Sequence, residues 1–138
     1  MRHYIICILL TLLMISTAIA GCLGEDDEVL IVGDWYLAES KVVTFNSNGT
    51  FHARLDWDEE ENNAGIGNWY NGNWSINGDL ILQQDGIDGY PNSFSIDGDW
   101  LFFVQFSSGP CYVLSRVSID EDIWNSTVDA LTLPKFCE

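Results

Sequence analysis

The sequence predicts an all-β fold, an antiparallel meander of about eight strands that closes as a small barrel. From residue 33 onward, short apolar segments alternate with turn-forming residues at close intervals, which is typical of all-β proteins. Two of these turns, Asn77-Gly78 and Asp97-Gly98, supply the positive-φ residues that tight hairpins need. An open sheet of this size has two unpaired edges, and closure into a barrel removes them. A closed barrel is therefore the predicted architecture, and a β-sandwich is the alternative.

Each element follows from a local pattern. Apolar side chains alternate along residues 50–57 and share one face of an extended strand. One short helix is predicted near the C-terminus, because Ser118 and Glu121 have capping-box spacing and apolar residues follow at helical intervals before Pro134. The predicted strands are residues 33–38, 41–45, 50–57, 73–76, 80–84, 93–96, 100–106 and 111–117.

The first 21 residues have the three-part layout of a secretory signal peptide. Arg2 and His3 form a short positive start, and residues 4–20 carry no charge. Small residues follow before Cys22, as expected at a cleavage site. Residues 1–21 are therefore predicted to be removed. The uncharged stretch is also close to the length that spans a bilayer, so an uncleaved anchor is the alternative.

Residues 19–22, Ile-Ala-Gly-Cys, resemble the lipobox of prokaryotic lipoproteins. This resemblance implies that Cys22 is lipidated on its sulfur and becomes the first mature residue. The alternative is cleavage after Ala20, which would give a secreted protein without lipid. We expect a lipid-anchored protein of the cell membrane that faces outside the cytoplasm. In it, residues 22–32 form the lipidated cysteine and an acidic tether, and residues 33–138 form the β-barrel domain.

The charge of the chain excludes one class of partner. The 138 residues contain 5 basic and 21 acidic side chains, for a formal net charge of −16. Removal of residues 1–21 takes away one basic residue, Arg2, and no acidic one, so the mature charge becomes −17. Phosphate backbones are bound by clustered lysine and arginine. We therefore expect no nucleic-acid partner.

Two of the four cysteines are predicted to form a disulfide. Cys7 lies in the signal segment and Cys22 is assigned to lipid, which leaves Cys111 and Cys137. Disulfides persist in exported proteins, so we expect this pair to be oxidised and to hold the C-terminal tail against the barrel. The alternative is two separate thiols.

Four short motifs resemble the lipocalin-like domains of small prokaryotic lipoproteins. The chain has Gly-Asp-Trp at 33–35, Thr-Phe-Asn at 44–46 and Gly-Thr-Phe at 49–51. A hairpin motif, Trp-Ser-Ile-Asn-Gly-Asp-Leu-Ile, follows at 74–81. The resemblance implies a lipocalin-like β-barrel.

The same resemblance assigns structural roles to three residues. In lipocalins an early Gly-x-Trp motif places its tryptophan at the closed end of the barrel, beneath an arginine from the last strand. Gly33 and Trp35 match the motif, and Arg116 has the position of that arginine. The resemblance therefore implies that Gly33, Trp35 and Arg116 close one end of the barrel.

No catalytic or metal-binding constellation stands out in the sequence. His52 is the one histidine outside the signal segment, and it is predicted to point to solvent from the middle of a strand. Five acidic residues between positions 56 and 61 could hold calcium, but a solvated loop is the favoured interpretation. The chain has no glycine-rich phosphate loop or dinucleotide motif. We therefore expect a protein that is not an enzyme, with no metal and no cofactor.

Several aromatic residues lie among Asn and Gly, a composition that suits stacking on sugar rings. The favoured interpretation is that most of them fill the core, because aromatic side chains dominate β cores. Trp69 and Tyr70 are adjacent and must face opposite sides of an extended strand, so one of them should face outward or line an opening. The aromatic residues considered are Trp57, Trp69, Tyr70, Trp74 and Trp100.

Asn48, Asn73 and Asn125 each begin an N-glycosylation sequon on this exported chain. Asn48 lies in a predicted turn and is the most accessible of the three.

The leading functional prediction is a membrane-anchored extracytoplasmic lipoprotein whose barrel binds a small apolar or amphipathic ligand. One alternative is a surface recognition module for glycans or protein partners. A second alternative is an envelope protein without a ligand. The presence of an internal cavity separates the first prediction from the other two.

Overall fold

The computed structural model describes residues 27–58, 63–105 and 109–138, and it confirms the predicted all-β class. Eight antiparallel strands form a closed barrel in which each strand pairs with the next along the chain. Pairing of Tyr36 with Ser115 closes the ring between the first and last strands. The strands are β1 (Gly33–Leu37), β2 (Ser40–Phe45), β3 (Thr50–Asp58), β4 (Asn63–Asn77), β5 (Asp79–Gln84), β6 (Tyr90–Asp97), β7 (Trp100–Val104) and β8 (Cys111–Ser115).

Local turn chemistry sets the tight hairpins. Gly78 and Gly98 have φ angles of 75° and 56°, and they connect β4 to β5 and β6 to β7. A residue without a Cβ adopts these angles at no steric cost. The β1–β2 ladder shifts register between Trp35 and Tyr36, so Val42 and Val43 are both buried although they are adjacent.

β4 begins at Asn63, ten positions before the predicted strand. No predicted strand covers its first half, which is rich in glycine and asparagine. The structure pairs this half with β3, from Asp58↔Asn63 to Thr50↔Asn73. A strand of low intrinsic propensity forms here because its neighbour supplies a full row of backbone partners.

The C-terminal helix is present but begins later than the capping-box spacing predicts. Helix α2 covers Glu121–Asp129, and its N-cap is Asp120 rather than Ser118. The Oδ1 atom of Asp120 accepts a hydrogen bond of 2.9 Å from the backbone N–H of Asp122. A carboxylate at this position also interacts favourably with the helix dipole.

The segment predicted as a tether contains structure at its end. Helix α1 covers Asp27–Ile31, and Ile31 is fully buried. The packed domain thus includes residues before 33. A 3₁₀ helix, Lys135–Cys137, ends the chain, and a disulfide joins Cys111 at the start of β8 to Cys137 within it. None of the helices in the described ranges is both long and apolar enough to cross a membrane.

Aromatic side chains from neighbouring strands fill the barrel interior. Phe45 contacts Phe51 and Trp74, with ring centroids 6.2 Å and 5.7 Å away. Trp74 is buried, and its Nε1 donates a 3.0 Å hydrogen bond to the backbone oxygen of Asn46. The expected core role therefore holds for Trp74.

Gly72 is required by this packing. A Cβ at position 72 would lie 2.2 Å from the backbone oxygen of Gln83 and 2.7 Å from the ring of Phe51. We expect Gly72→Ala to lower the free energy of unfolding by about 2 kcal/mol or more, because the backbone of β5 must move. Urea unfolding measures this. The exposed Ser75→Ala on the same strand is the control and should change stability by about 0.5 kcal/mol or less. Equal effects of the two substitutions would contradict the steric argument.

Candidate functional site

One end of the barrel, here the closed end, is filled by Gly33, Trp35 and Arg116. Trp35 is fully buried, and the guanidinium carbon of Arg116 lies 4.1 Å from its ring centroid. Gly33 has a φ angle of 124°, and a Cβ there would lie 2.9 Å from Nη1 of Arg116. The structure thus brings together the three residues to which the resemblance assigned this role.

These side chains also satisfy the last carbonyl groups of α1. Such carbonyls have no partner within a helix. Nη1 of Arg116 donates a 2.7 Å hydrogen bond to the oxygen of Val32, and Nη2 donates to the oxygen of Leu30. Nε1 of Trp35 donates to the oxygen of Ile31 at 2.8 Å. Three consecutive carbonyls are paired in this way, so α1 is attached to the barrel by hydrogen bonds as well as by the buried Ile31.

A cavity of about 120 Å³ lies inside the barrel. Its apolar wall comes from seven side chains, and its polar lining from six others. The lining residues are Val43, Phe45, Phe51, Ala53, Leu55, Asp56, Tyr70, Leu82, Tyr90, Asn92, Phe103, Gln105 and Tyr112.

The polar lining lies at the end of the barrel opposite the closed end. Asp56 is near the end of β3, Tyr90 starts β6, Gln105 follows β7 and Tyr112 is near the start of β8. Because consecutive strands alternate in direction, these four positions share one end, here called the polar end. Asp56 is exposed and also lines the cavity, so the cavity reaches the surface there.

Among the described residues that line the cavity, Asn92 is the one fully buried polar side chain. Its Nδ2 atom donates hydrogen bonds to the backbone oxygens of Leu80 and Tyr90, at 2.9 Å and 3.2 Å. These two acceptors fix the orientation of the amide, since a flipped amide would place oxygen against oxygen. The Oδ1 atom of Asn92 accepts no hydrogen bond within the described part of the chain. An unpaired buried acceptor is costly, so this atom suits a hydrogen-bond donor on a bound molecule.

Two phenol groups are held in the protonated form beside the cavity. Burial raises the pKa of Tyr112 to about 12, with a further contribution from the charge of Asp56. Burial also raises the pKa of Tyr70, and the charges of Tyr90, Tyr112 and Asp56 raise it further. The Tyr112 hydroxyl donates to Oε1 of Gln105 at 3.3 Å, and the Tyr70 hydroxyl donates to the oxygen of Leu55 at 3.5 Å.

Trp69 and Tyr70 face opposite sides of β4, as their adjacency predicts. Tyr70 lines the cavity, whereas Trp69 is 44% exposed on the outer surface. The ring of His52 stacks on Trp69 with centroids 4.2 Å apart, and the guanidinium carbon of Arg54 lies 4.9 Å from the Trp69 centroid. His52 is exposed as predicted, and its Nδ1 lies 2.6 Å from Oδ1 of Asn71. The His52 ring therefore covers part of the surface on which a sugar could stack.

The remaining predicted residues are dispersed. Asn48, Asn73 and Asn125 are all exposed, in the β2–β3 turn, on β4 and in α2. Cys22 and Glu59–61 lie outside the described residues, as does residue 106 of the predicted seventh strand. Within the described ranges, no three His, Cys, Asp or Glu side chains come together as a metal site.

Four residues of the cavity wall were not predicted from the sequence: Tyr90, Asn92, Gln105 and Tyr112. Tyr112 occupies an alternating position in a predicted strand, which is a signal for an inward-facing side chain. Asn92 lies just before the predicted strand 93–96, and only the register Leu80↔Asn92 places it inside the barrel.

Comparisons with protein-family models, curated proteins and solved structures found no match for this chain. The lipocalin-like resemblance therefore stays a prediction. The fold and the site define the class of protein as a closed eight-stranded antiparallel β-barrel with a small internal cavity.

The closed end provides a direct test of the Arg116 contacts. We expect Arg116→Lys to lower the free energy of unfolding by about 1–3 kcal/mol, because lysine keeps the charge but cannot present two fixed donors to two carbonyls. Chemical denaturation measures the change. Arg54→Lys is the control, because Nε of Arg54 also donates to a backbone oxygen, that of Lys41 at 2.8 Å, but on the exposed outer surface. We expect a smaller loss there, since water can replace an exposed hydrogen bond. Equal losses would show that the guanidinium geometry does not stabilise the attachment of α1.

The raised phenol pKa values predict a stability change at alkaline pH. A phenol with a pKa of about 10 when unfolded and about 12 when folded contributes fully below pH 10. That contribution is lost as the pH rises from about 10 to about 12, since only the unfolded state ionises there. Absorbance at tyrosinate wavelengths, measured on the folded protein as the pH is raised, should show that the Tyr112 phenol ionises above pH 10. Unfolding is followed in the same samples. Tyr112→Phe should remove one group that ionises only above pH 10. The same number of tyrosines ionising above pH 10 in Tyr112→Phe and in the parent protein would contradict this.

Proposed function

We propose that this protein is a membrane-anchored extracytoplasmic lipoprotein whose barrel binds a small ligand with an apolar body and a hydrogen-bond donor. The carrying observation is the Oδ1 atom of Asn92, a fully buried acceptor that lines the cavity and has no partner in the described chain. The apolar wall supports binding of hydrocarbon, and the acceptor supports binding of a donor.

The cavity volume limits the size of the ligand. Drug-sized ligands occupy pockets of roughly 300–1,000 Å³, whereas an apolar cavity of about 150 Å³ holds a molecule such as benzene. A cavity of about 120 Å³ therefore suits a compact ligand, part of which can extend through the polar end. Long-chain lipid does not fit inside it.

The proposed anchor and the barrel fit one orientation. Cys22 lies five positions before Asp27, so an extended chain separates the two by at most about 18 Å. Because α1 is attached at the closed end, lipid on Cys22 would hold that end near the membrane. The polar end and the cavity would then face away from the bilayer, toward solutes outside the cell.

Native mass spectrometry of the protein, extracted from its own membranes in mild detergent, tests the proposal. We expect a mass that begins at Cys22 and includes lipid, together with a non-covalently bound small molecule. Ala53→Leu should abolish the bound molecule, because Ala53 is buried in the cavity wall and a leucine side chain fills the space. Ser75→Leu, exposed on β4, should retain it.

The two parts of the proposal fail separately. A mass without lipid would overturn the anchor, and Cys22→Ala compared with Cys7→Ala would show which cysteine carries the lipid. A lipidated mass without a bound molecule would overturn the binding function. The same would follow if Ala53→Leu retained a bound molecule as the parent protein does. The recognition or envelope roles would then be favoured.

A further inference from the structure

The polar groups in the cavity wall are hydrogen-bond acceptors, phenols and one carboxylate. The acceptors are Oδ1 of Asn92, Oε1 of Gln105 and the carboxylate of Asp56, and the phenols are Tyr70, Tyr90 and Tyr112. None of the described lining residues is lysine, arginine or histidine. The described lining residues therefore offer a ligand several acceptors, and none of them carries a positive charge.

Asn92 shows what kind of group the inner wall accepts. Its NH₂ group is occupied by two backbone carbonyls, so only the oxygen can interact with a ligand. A carboxylate or phosphate on the ligand would place oxygen against this oxygen. A hydroxyl or an ammonium can donate to it, and an ammonium carries donors only.

The charge at the polar end distinguishes between these two donors. Asp56 lies at the cavity opening and acts on the phenols of Tyr70 and Tyr112, where its negative charge disfavours their ionisation. The same field favours a cation in that space. The net charge of −16 increases the local concentration of small cations around the whole protein.

The aromatic rings of the cavity wall add a further attraction for positive charge wherever another ring does not cover their faces. The ring of Tyr112 stacks on Phe103 with centroids 4.7 Å apart, and the ring of Tyr70 meets Phe51 edge-on at 6.0 Å. All four rings line the cavity. Cations bind to aromatic faces, and more strongly where water is partly excluded.

We propose that the ligand of this cavity is a small organic cation, an alkylammonium with a compact apolar body. This inference rests on the proposed binding function and specifies its ligand class. The ammonium lies toward the carboxylate of Asp56 and the phenols, with Asn92 as a further acceptor, and the apolar body lies against Phe45, Phe51 and Leu82.

Three probes with the same hydrocarbon chain and different head groups test the proposal. Butylamine, butanol and butyrate are titrated at pH 7 into full-length ¹⁵N-labelled protein, and the side-chain amide signals of Asn92 and Gln105 are followed by NMR. We expect butylamine to bind about threefold to tenfold more tightly than butanol, and butyrate not to bind.

A charge-removing variant separates electrostatic from apolar recognition. Asp56→Asn should lower the affinity for butylamine to that for butanol, and an unchanged dispersion of the backbone amide signals shows that the variant folds. Asp129→Asn, an exposed residue of α2, removes the same charge far from the cavity and should leave the butylamine preference intact.

The outcomes distinguish this inference from the proposed function. Butanol or butyrate binding as tightly as butylamine, or a butylamine preference that survives Asp56→Asn, would overturn the cationic ligand while the binding function stands. The absence of signal changes with all three probes would overturn both.

Discussion

The structure depends most on the contacts of Arg116, which join segments that the sheet itself connects weakly. Between β1 and β8 one residue pair, Tyr36↔Ser115, carries the ladder, whereas β7 and β8 share five. Arg116 lies at this junction, donates to two carbonyls near α1 and covers the ring of Trp35. The backbone N–H of Arg116 donates to the oxygen of Asp99 at 2.7 Å, so the β6–β7 turn is also joined to this end of the barrel. A guanidinium suits this position because its donors have a fixed planar arrangement and its face can lie on an aromatic ring.

Closure of one end determines where a ligand site can exist. Ile31, Trp35 and Arg116 occupy the closed end, and the remaining space lies toward the polar end of the strands. There the wall combines aromatic rings with polar atoms that belong to different strands. The exposed Trp69 is separate from this site, because His52 stacks on its ring and Arg54 lies beside it. These contacts favour an internal ligand over a sugar bound on the outer surface of β3 and β4.

Features of the fold that depend on residues close together in the sequence were predictable, and features that depend on residues far apart in the sequence were not. The turns at Gly78 and Gly98 were predicted because positive φ is a property of two or three neighbouring residues. The first half of β4 was not predicted, because glycine and asparagine have low strand propensity and the strand forms only where β3 supplies its backbone partners. The start of α2 was predicted two residues too early, because Asp120 and not Ser118 is the N-cap of the helix. The cavity wall was the least predictable part, because no motif or spacing near Asn92 or Gln105 indicates that their side chains line a cavity.

The sequence by itself determined the all-β class, the order of the hairpins, the pairing of Cys111 with Cys137 and the location of Trp69 and Tyr70 on opposite sides of one strand. Each of these follows from neighbouring residues, from strand alternation or from a short list of cysteines. The tertiary structure alone decided that α1 packs under the barrel, that a cavity remains and that Asn92 presents an unpaired oxygen to it. Those features depend on the register between neighbouring strands and on contacts between side chains on opposite sides of the barrel. These contacts form only when the eight strands close into a barrel.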